Sequence, residues 1–286
     1  MWEDTDGQSV ESNDRKSHSE ERTRRSLLQT VGAGASALAL GVGATSPASA
    51  AKAEETCASG EVIEVANSNW HVLNNKWGDP DATQCIWRHD DGRYGWDSDS
   101  TGAGINYPQT FCGGRPWGSD SGISELPTQR SNISEFELEW DISLNESGGD
   151  WNLAEEWWLL DGQPQANNPP IKYEVMLVLD WGSNLSHPMV QENVRTDKYG
   201  NQIDHWADYD HSEGWKFQIF RIAGGASSGQ VDFTEIMDYM DSYFGVSDSL
   251  TLTGCEVGTE IWGGSISATF NTCDLTINGE TYSSGS

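Results

Sequence analysis

Basic residues are scarce in this chain: 16 Lys+Arg stand against 45 Asp+Glu, and only six of the 16 are lysine. The first fifty residues hold 5 of the basic and 7 of the acidic side chains, leaving 11 against 38 after residue 50. With no basic patch to displace counterions, binding to nucleic acid or to an anionic membrane surface is excluded. Long apolar runs are also missing after residue 50, so no transmembrane segment is expected there. No Cys-x-x-Cys pair occurs and the 6 histidines are scattered, which excludes the usual zinc patterns. No loop has the ligand spacing of a calcium site, and neither a metal nor another cofactor is expected.

What the chain does have is carboxylate and tryptophan. So much charge is compatible with disorder, but thirteen tryptophans after the leader and regular strand-like segments indicate a folded domain. A carboxylate excess without matching lysine suits concentrated salt. In molar salt the Debye length shrinks to about 3 Å, so self-repulsion is screened there and felt in dilute buffer. Salt-dependent stability is the expectation.

The leader carries Thr23-Arg24-Arg25-Ser26-Leu27-Leu28, then an apolar Gly/Ala-rich run from Val31 to Ala44, then Ala48-Ser49-Ala50. Paired arginines, a mildly apolar segment and small residues at the end form a twin-arginine export signal, with cleavage expected after Ala50. The expectation is therefore a signal peptide over 1–50 and one secreted, monomeric domain over 51–286, without a linker, a repeat or a low-complexity tract. Five cysteines, Cys57, Cys85, Cys112, Cys255 and Cys273, suggest disulfides in an exported protein, with one thiol left over. Cys57 and Cys85 bracket the first strands. Cys255 and Cys273 flank a turn near Gly263-Gly264 and could face each other across a hairpin, with Cys112 as the odd thiol.

Strand signals cover Val62 to Val65, Trp70 to Leu73, Ile133 to Ser143, Ile171 to Leu179, Trp215 to Ile222, Thr251 to Trp262 and Ser265 to Asn278. Only Phe233 to Phe244 reads as a helix, with Phe233, Ile236, Met237, Met240 and Phe244 at spacings of three and four. Many strands and one helix predict an all-β fold, an antiparallel β-sandwich (jelly roll) with a concave substrate cleft and one packed α-helix.

Two segments place carboxylates on strands. In the run from Ile171 to Trp181, bounded by Pro169-Pro170, alternation puts Tyr173, Val175, Leu177 and Leu179 on one face and Glu174, Met176, Val178 and Asp180 on the other. In Cys255 to Gly264, the residues Glu256, Gly258, Glu260 and Trp262 share a face. Two carboxylates brought together on a concave face can divide acid and base work, because close approach raises one pKa while the other group stays ionised. Glycosidases use that arrangement, and aromatic side chains stack on the apolar faces of sugar rings.

The segments Asn74-Asn75-Lys76-Trp77-Gly78, Ala82-Thr83-Gln84-Cys85, Asn106-Tyr107-Pro108, Trp140-Asp141-Ile142, Tyr173-Glu174-Val175-Met176-Leu177 and Val257-Gly258-Thr259-Glu260-Ile261-Trp262 occur in an order that resembles glycoside hydrolase family 12. These are small retaining β-1,4-glucanases with a jelly-roll fold. Each motif is short; their order spans almost all of residues 51–286. The resemblance implies Glu174 as nucleophile, Glu260 as general acid and then base, and Asp141 as the carboxylate supporting Glu174. It also implies Asn75 and Trp77 in a glycone subsite, Met176 and Trp262 at the cleft border, and a disulfide between Cys57 and Cys85. The implied activity is endo-β-1,4-glucanase on cellulose-like, mixed-linkage or xyloglucan chains, the alternative being a non-catalytic carbohydrate-binding jelly roll. Three features depart from the pattern. Val178 stands where the family often has tryptophan, Ile261 replaces a proline, and a Trp-rich acidic segment with Trp151, Glu155, Glu156, Trp157 and Trp158 resembles an insertion, either an extra cleft wall or a solvated loop.

Overall fold

The computed structural model describes residues 51–65, 69–182 and 189–285. The export signal expected over 1–50 lies outside them. Among the described residues no helix is long and apolar enough to cross a membrane.

Strands are numbered in chain order. One sheet runs β1 (Lys52–Thr56), β4 (Thr83–His89), β5 (Tyr94–Ser100), β17 (Gly264–Ile277), β8 (Phe136–Glu146) and β14 (Ser228–Asp232), with β18 (Glu280–Ser283) also paired to β17. The other runs β11 (Gln191–Thr196), β12 (Gln202–Asp210), β13 (Lys216–Ile222), β10 (Ile171–Trp181), β9 (Trp151–Leu160), β16 (Gly254–Ile261), β6 (Gln109–Gly113), β3 (Trp70–Leu73) and β2 (Val62–Val65). Two short strands, β7 (Thr128–Gln129) and β15 (Thr251–Leu252), join it through β9. Pairing is antiparallel except between β10 and β13.

Period-two alternation decides which side chains fill the space between the sheets. From the second sheet come Val175, Leu177 and Leu179 of β10, Leu153, Trp157 and Leu159 of β9, and Val257 and Ile261 of β16; from the first come Tyr94, Trp96, Leu138, Trp140, Ile142 and Phe270. Full burial of each such aliphatic side chain contributes roughly 1.5 to 3 kcal/mol. The opposite face of the second sheet carries its own small cluster of Ala154, Met176, Val178, Trp206, Ala207 and Ile219. Helix α1 (Thr234–Phe244) buries Ile236, Met237, Tyr239 and Met240, and it stops at Gly245, whose φ of 64° suits a residue without a Cβ.

Two expectations change. The Trp-rich acidic segment is neither an extra cleft wall nor a solvated loop: it is β9, buried at every position and lying between β10 and β16. Its acidic residues hid a regular alternation in which the odd-numbered side chains Trp151, Leu153, Trp157 and Leu159 enter the core. Cys255 and Cys273 do not face across a hairpin, because β16 and β17 belong to different sheets. Cys112, Cys255 and Cys273 are all free and buried, and Cys112 is the cross-strand neighbour of Cys255. Cys57 and Cys85 are disulfide-bonded, 28 residues apart.

Candidate active site

The face of the second sheet turned away from the core is floored by β10, β9 and β16, and their registers decide which side chains meet. Glu174 lies opposite Trp158, and Met176 opposite Glu156. On the other side of β9, Glu256 lies opposite Glu156, and Glu260 opposite Asn152. Paired residues of antiparallel strands point to the same face, so Glu156, Glu174, Glu256 and Glu260 share this surface. Behind it, β16 is tied to the first sheet by the Trp96 indole, which donates to the Thr259 hydroxyl at 2.8 Å. Gly258 leaves space that Tyr107 fills: a Cβ there would come within 2.7 Å of the Tyr107 ring.

Glu174 is only 8 % exposed. The Trp215 indole N–H donates to its Oε2 at 2.6 Å, and Glu156 hydrogen-bonds to the same carboxylate. Burial pushes the Glu174 carboxyl up to about 7 against those two hydrogen bonds, with the charges of Glu260 and Glu256 adding to the rise. Glu260 is half-buried, and Asn152 donates to its Oε2 at 2.5 Å. Desolvation raises Glu260 to about 7, opposed by that one hydrogen bond. Burial raises Glu156 well above the carboxylate range, and the charges of Glu174, Glu256 and Glu260 reinforce it. Glu156 therefore holds its proton and offers it to Glu174. With two donors stabilising its ionised form against one for Glu260, Glu174 is the better placed of the pair to carry the negative charge, leaving Glu260 the proton.

Asp141 is not part of this site. It is exposed on β8, in the other sheet, between Trp140 and Ile142, which both point into the core. The carboxyl beside Glu174 is Glu156, which counting alternate residues along 151–160 would have found. Asn152 and Trp158 share that parity; Trp215 was legible only as the start of a strand.

Asn75, after β3, is half-buried and donates to Gln109 Oε1 at 3.2 Å. Trp77, two residues on, is 67 % exposed. Met176 is buried in the floor, its sulfur 4.0 Å from Asn152 Nδ2, and Trp262 is half-buried just past the end of β16. A line of rings, Trp117, Trp158, Trp215 and His211, extends along the surface with successive centroids 5.1, 6.0 and 4.1 Å apart.

At the far end of β10 a bulge lies between Val178 and Asp180. It sets Asp180 opposite Leu153 and Trp181 opposite Asn152. Strict alternation would have sent Asp180 to the Glu174 face; the extra residue sends Trp181 there instead, against Trp206 at 5.5 Å and beneath the Arg221 guanidinium at 5.4 Å. Indole thus returns near Val178 from three residues along.

No family model matches the sequence, and no curated protein matches it. Solved structures do. A family 12 xyloglucanase from Bacillus licheniformis superposes with a TM-score of 0.68 at 20 % identity, covering 79 % of this chain and 100 % of that one. A metagenome-derived glycoside hydrolase family 12 endoglucanase gives 0.65 at 24 % identity over 79 % and 98 %. An endoglucanase from Rhodothermus marinus gives 0.65 at 22 % over 80 % and 99 %. The chain has the family 12 glycoside hydrolase fold. Within that family 12 fold, the four carboxyl groups occupy the three adjacent strands β10, β9 and β16.

Proposed function

We propose that this protein is a secreted, retaining endo-β-1,4-glucanase acting on cellulose-like, mixed-linkage glucan or xyloglucan chains. The observation that carries the reading is the pairing of Glu174 and Glu260, two cleft-facing carboxyl groups on strands flanking β9, with unequal hydrogen-bond support for their ionised forms. Glu174 attacks the anomeric carbon while Glu260 protonates the leaving oxygen; Glu260, now a carboxylate, then takes a proton from the water that releases the glycosyl-enzyme. Exposed Trp77 suits a sugar-stacking platform beside Asn75. A binding-only jelly roll leaves the buried carboxylate pair without a purpose, since it costs desolvation and adds no apolar contact. The twin-arginine leader supports export of the folded domain over 51–286, and the acidic composition of that domain supports work in concentrated salt.

The test is release of reducing ends from soluble β-1,4-glucans, mixed-linkage glucan and xyloglucan in molar KCl. Glu174→Gln is expected to lower kcat by at least about 10³-fold, on the scale of losing a nucleophile. Glu260→Ala is expected to recover turnover of an activated aryl glycoside when azide is added, giving a glycosyl azide of retained configuration. Full activity of Glu174→Gln would end the nucleophile assignment; an inverted first product would end the double-displacement route.

A further inference from the structure

Glu256 has the parity of a catalytic residue, yet its surroundings differ from those of the other three carboxyl groups. It is 1 % exposed, and its partners are all donors. The Trp158 indole N–H donates to Oε1 at 3.1 Å, Arg115 Nε donates to Oε2 at 2.9 Å, and the Gln109 amide also donates to Oε2. Arg115 and the indole have no acceptor to offer, so this cage accommodates a carboxylate and gives a carboxyl proton nowhere to go. Arg115 is itself held over the rings of Phe111 and Trp117, at 5.7 and 5.3 Å.

Glu156 sits directly across the strand pair from this caged anion. The ionisable groups facing it are Glu174 from β10, Glu256 and Glu260 from β16, and Tyr107 from the segment before β6; Glu155 on its own strand points into the core. Arg115 is the cation tied to this cluster, and its bond goes to Glu256 rather than to Glu156.

We propose that Glu256 is a positioning residue that meets no reacting atom: clamped as an anion by Arg115, Gln109 and Trp158, it keeps the proton on Glu156, and through that proton it orients and poises Glu174. The role rests on the glucanase reading in taking Glu174 as nucleophile. It assigns the second cleft carboxylate of β16, which sequence parity alone leaves indistinguishable from Glu260. It also gives the buried Arg115–Glu256 ion pair a purpose: by offsetting part of the Glu256 charge, Arg115 keeps Glu174 within reach of ionisation near neutral pH.

The deciding readout is the sign of a shift. Carboxyl carbons of ¹³C-labelled glutamate are titrated by NMR in the full domain without substrate, with Glu174→Gln and Glu156→Gln spectra to assign the signals, and the pH profile of kcat/KM is measured in parallel. Glu256→Gln keeps shape and removes charge, so the Glu174 titration and the acid limb should move down by about one pH unit. Arg115→Gln leaves the Glu256 anion uncompensated and should move both up by a similar amount. The alkaline limb, set by Glu260, should hold still in both. A purely structural role would lower activity without opposite displacements; no shift in either variant, or shifts of the same sign, overturns the proposal. Should Glu256→Gln fail to fold, judged by near-UV circular dichroism, Arg115→Gln decides alone: an upward shift supports the role, and none or a downward one refutes it. If the unmodified protein releases no reducing ends, the glucanase reading fails, while the titration still decides whether Glu256 governs Glu156 and Glu174.

Discussion

Trp215→Phe removes the indole N–H from the site and leaves a smaller aromatic ring in place. The lost N–H is the 2.6 Å donor to Glu174, and His211, stacked on Trp215 at 4.1 Å, keeps an aromatic partner. A hydrogen bond to a charged group contributes about 1.5 to 3 kcal/mol, and it acts here on the ionised form of Glu174. At 1.36 kcal/mol per pKa unit this amounts to a rise of about one to two units, starting from about 7. The free-enzyme profile of kcat/KM should therefore have its acid limb displaced upward by that much, lowering activity at pH 6 by roughly 10- to 100-fold, and because Glu260 must keep its proton with a value also of about 7, the maximum moves to higher pH and falls as well. The assay is initial-rate hydrolysis of a soluble glucan between pH 4 and 9 at constant molar salt, with the fold checked by near-UV circular dichroism. An acid limb that stays put while kcat falls would refute the reasoning, since the indole would then be holding substrate rather than charge.

The pair Glu174 and Glu260 should also tax the fold as pH rises. Both have folded-state values of about 7, above the ordinary 4.5, so the stabilisation of their neutral forms is complete below about pH 4.5 and is lost as pH climbs through about 7. Each loss is of the order of 3 kcal/mol, and less than twice that for the coupled pair. Glu260→Gln should accordingly melt higher than the parent at pH 8 and alike at pH 4; identical curves at both would contradict it. Cys57→Ser opens a loop of 28 residues, and the chain-entropy model gives a loss of about 3 to 4 kcal/mol, a drop in melting temperature of roughly 7 to 15 °C by calorimetry. Raising KCl from 0.1 to 2 M should raise the melting temperature, because self-repulsion among the surface carboxylates is then screened; an unchanged value would show that the net charge is tolerated without salt.

Much of this architecture was legible because period-two alternation is simple to read where one face is apolar. The runs Ile171 to Leu179 and Ser265 to Asn278 correspond to β10 and β17, and the faces assigned to Glu174, Glu256 and Glu260 are those observed. The helix begins within one residue of its expected start. What escaped was β9, where Glu155 and Glu156 are buried against every compositional instinct, so that acidity was taken for exposure. Burial of adjacent carboxyl groups on opposite faces of one strand is a tertiary fact: Glu155 packs beside Cys255 inside the sandwich, and Glu156 beside Glu174 in the cleft. Asp141 failed for the complementary reason. A short motif match fixes neither which sheet a strand joins nor the distance between two strands, and β8 joined the other sheet.

The bulge in β10 works as a frame shift for side chains. Upstream of it the strand reads acid, thioether, valine into the cleft; one surplus residue later the same strand reads indole, and the aspartate that alternation would have placed beside Asn152 and Glu260 is withdrawn. Closing the bulge without changing the length of the chain would set Asp180 opposite Asn152, bringing a fifth carboxyl group against Glu260. A cleft can thus exchange an aromatic wall for a charge by keeping or losing a single bulge, with the sequence of the strand unchanged.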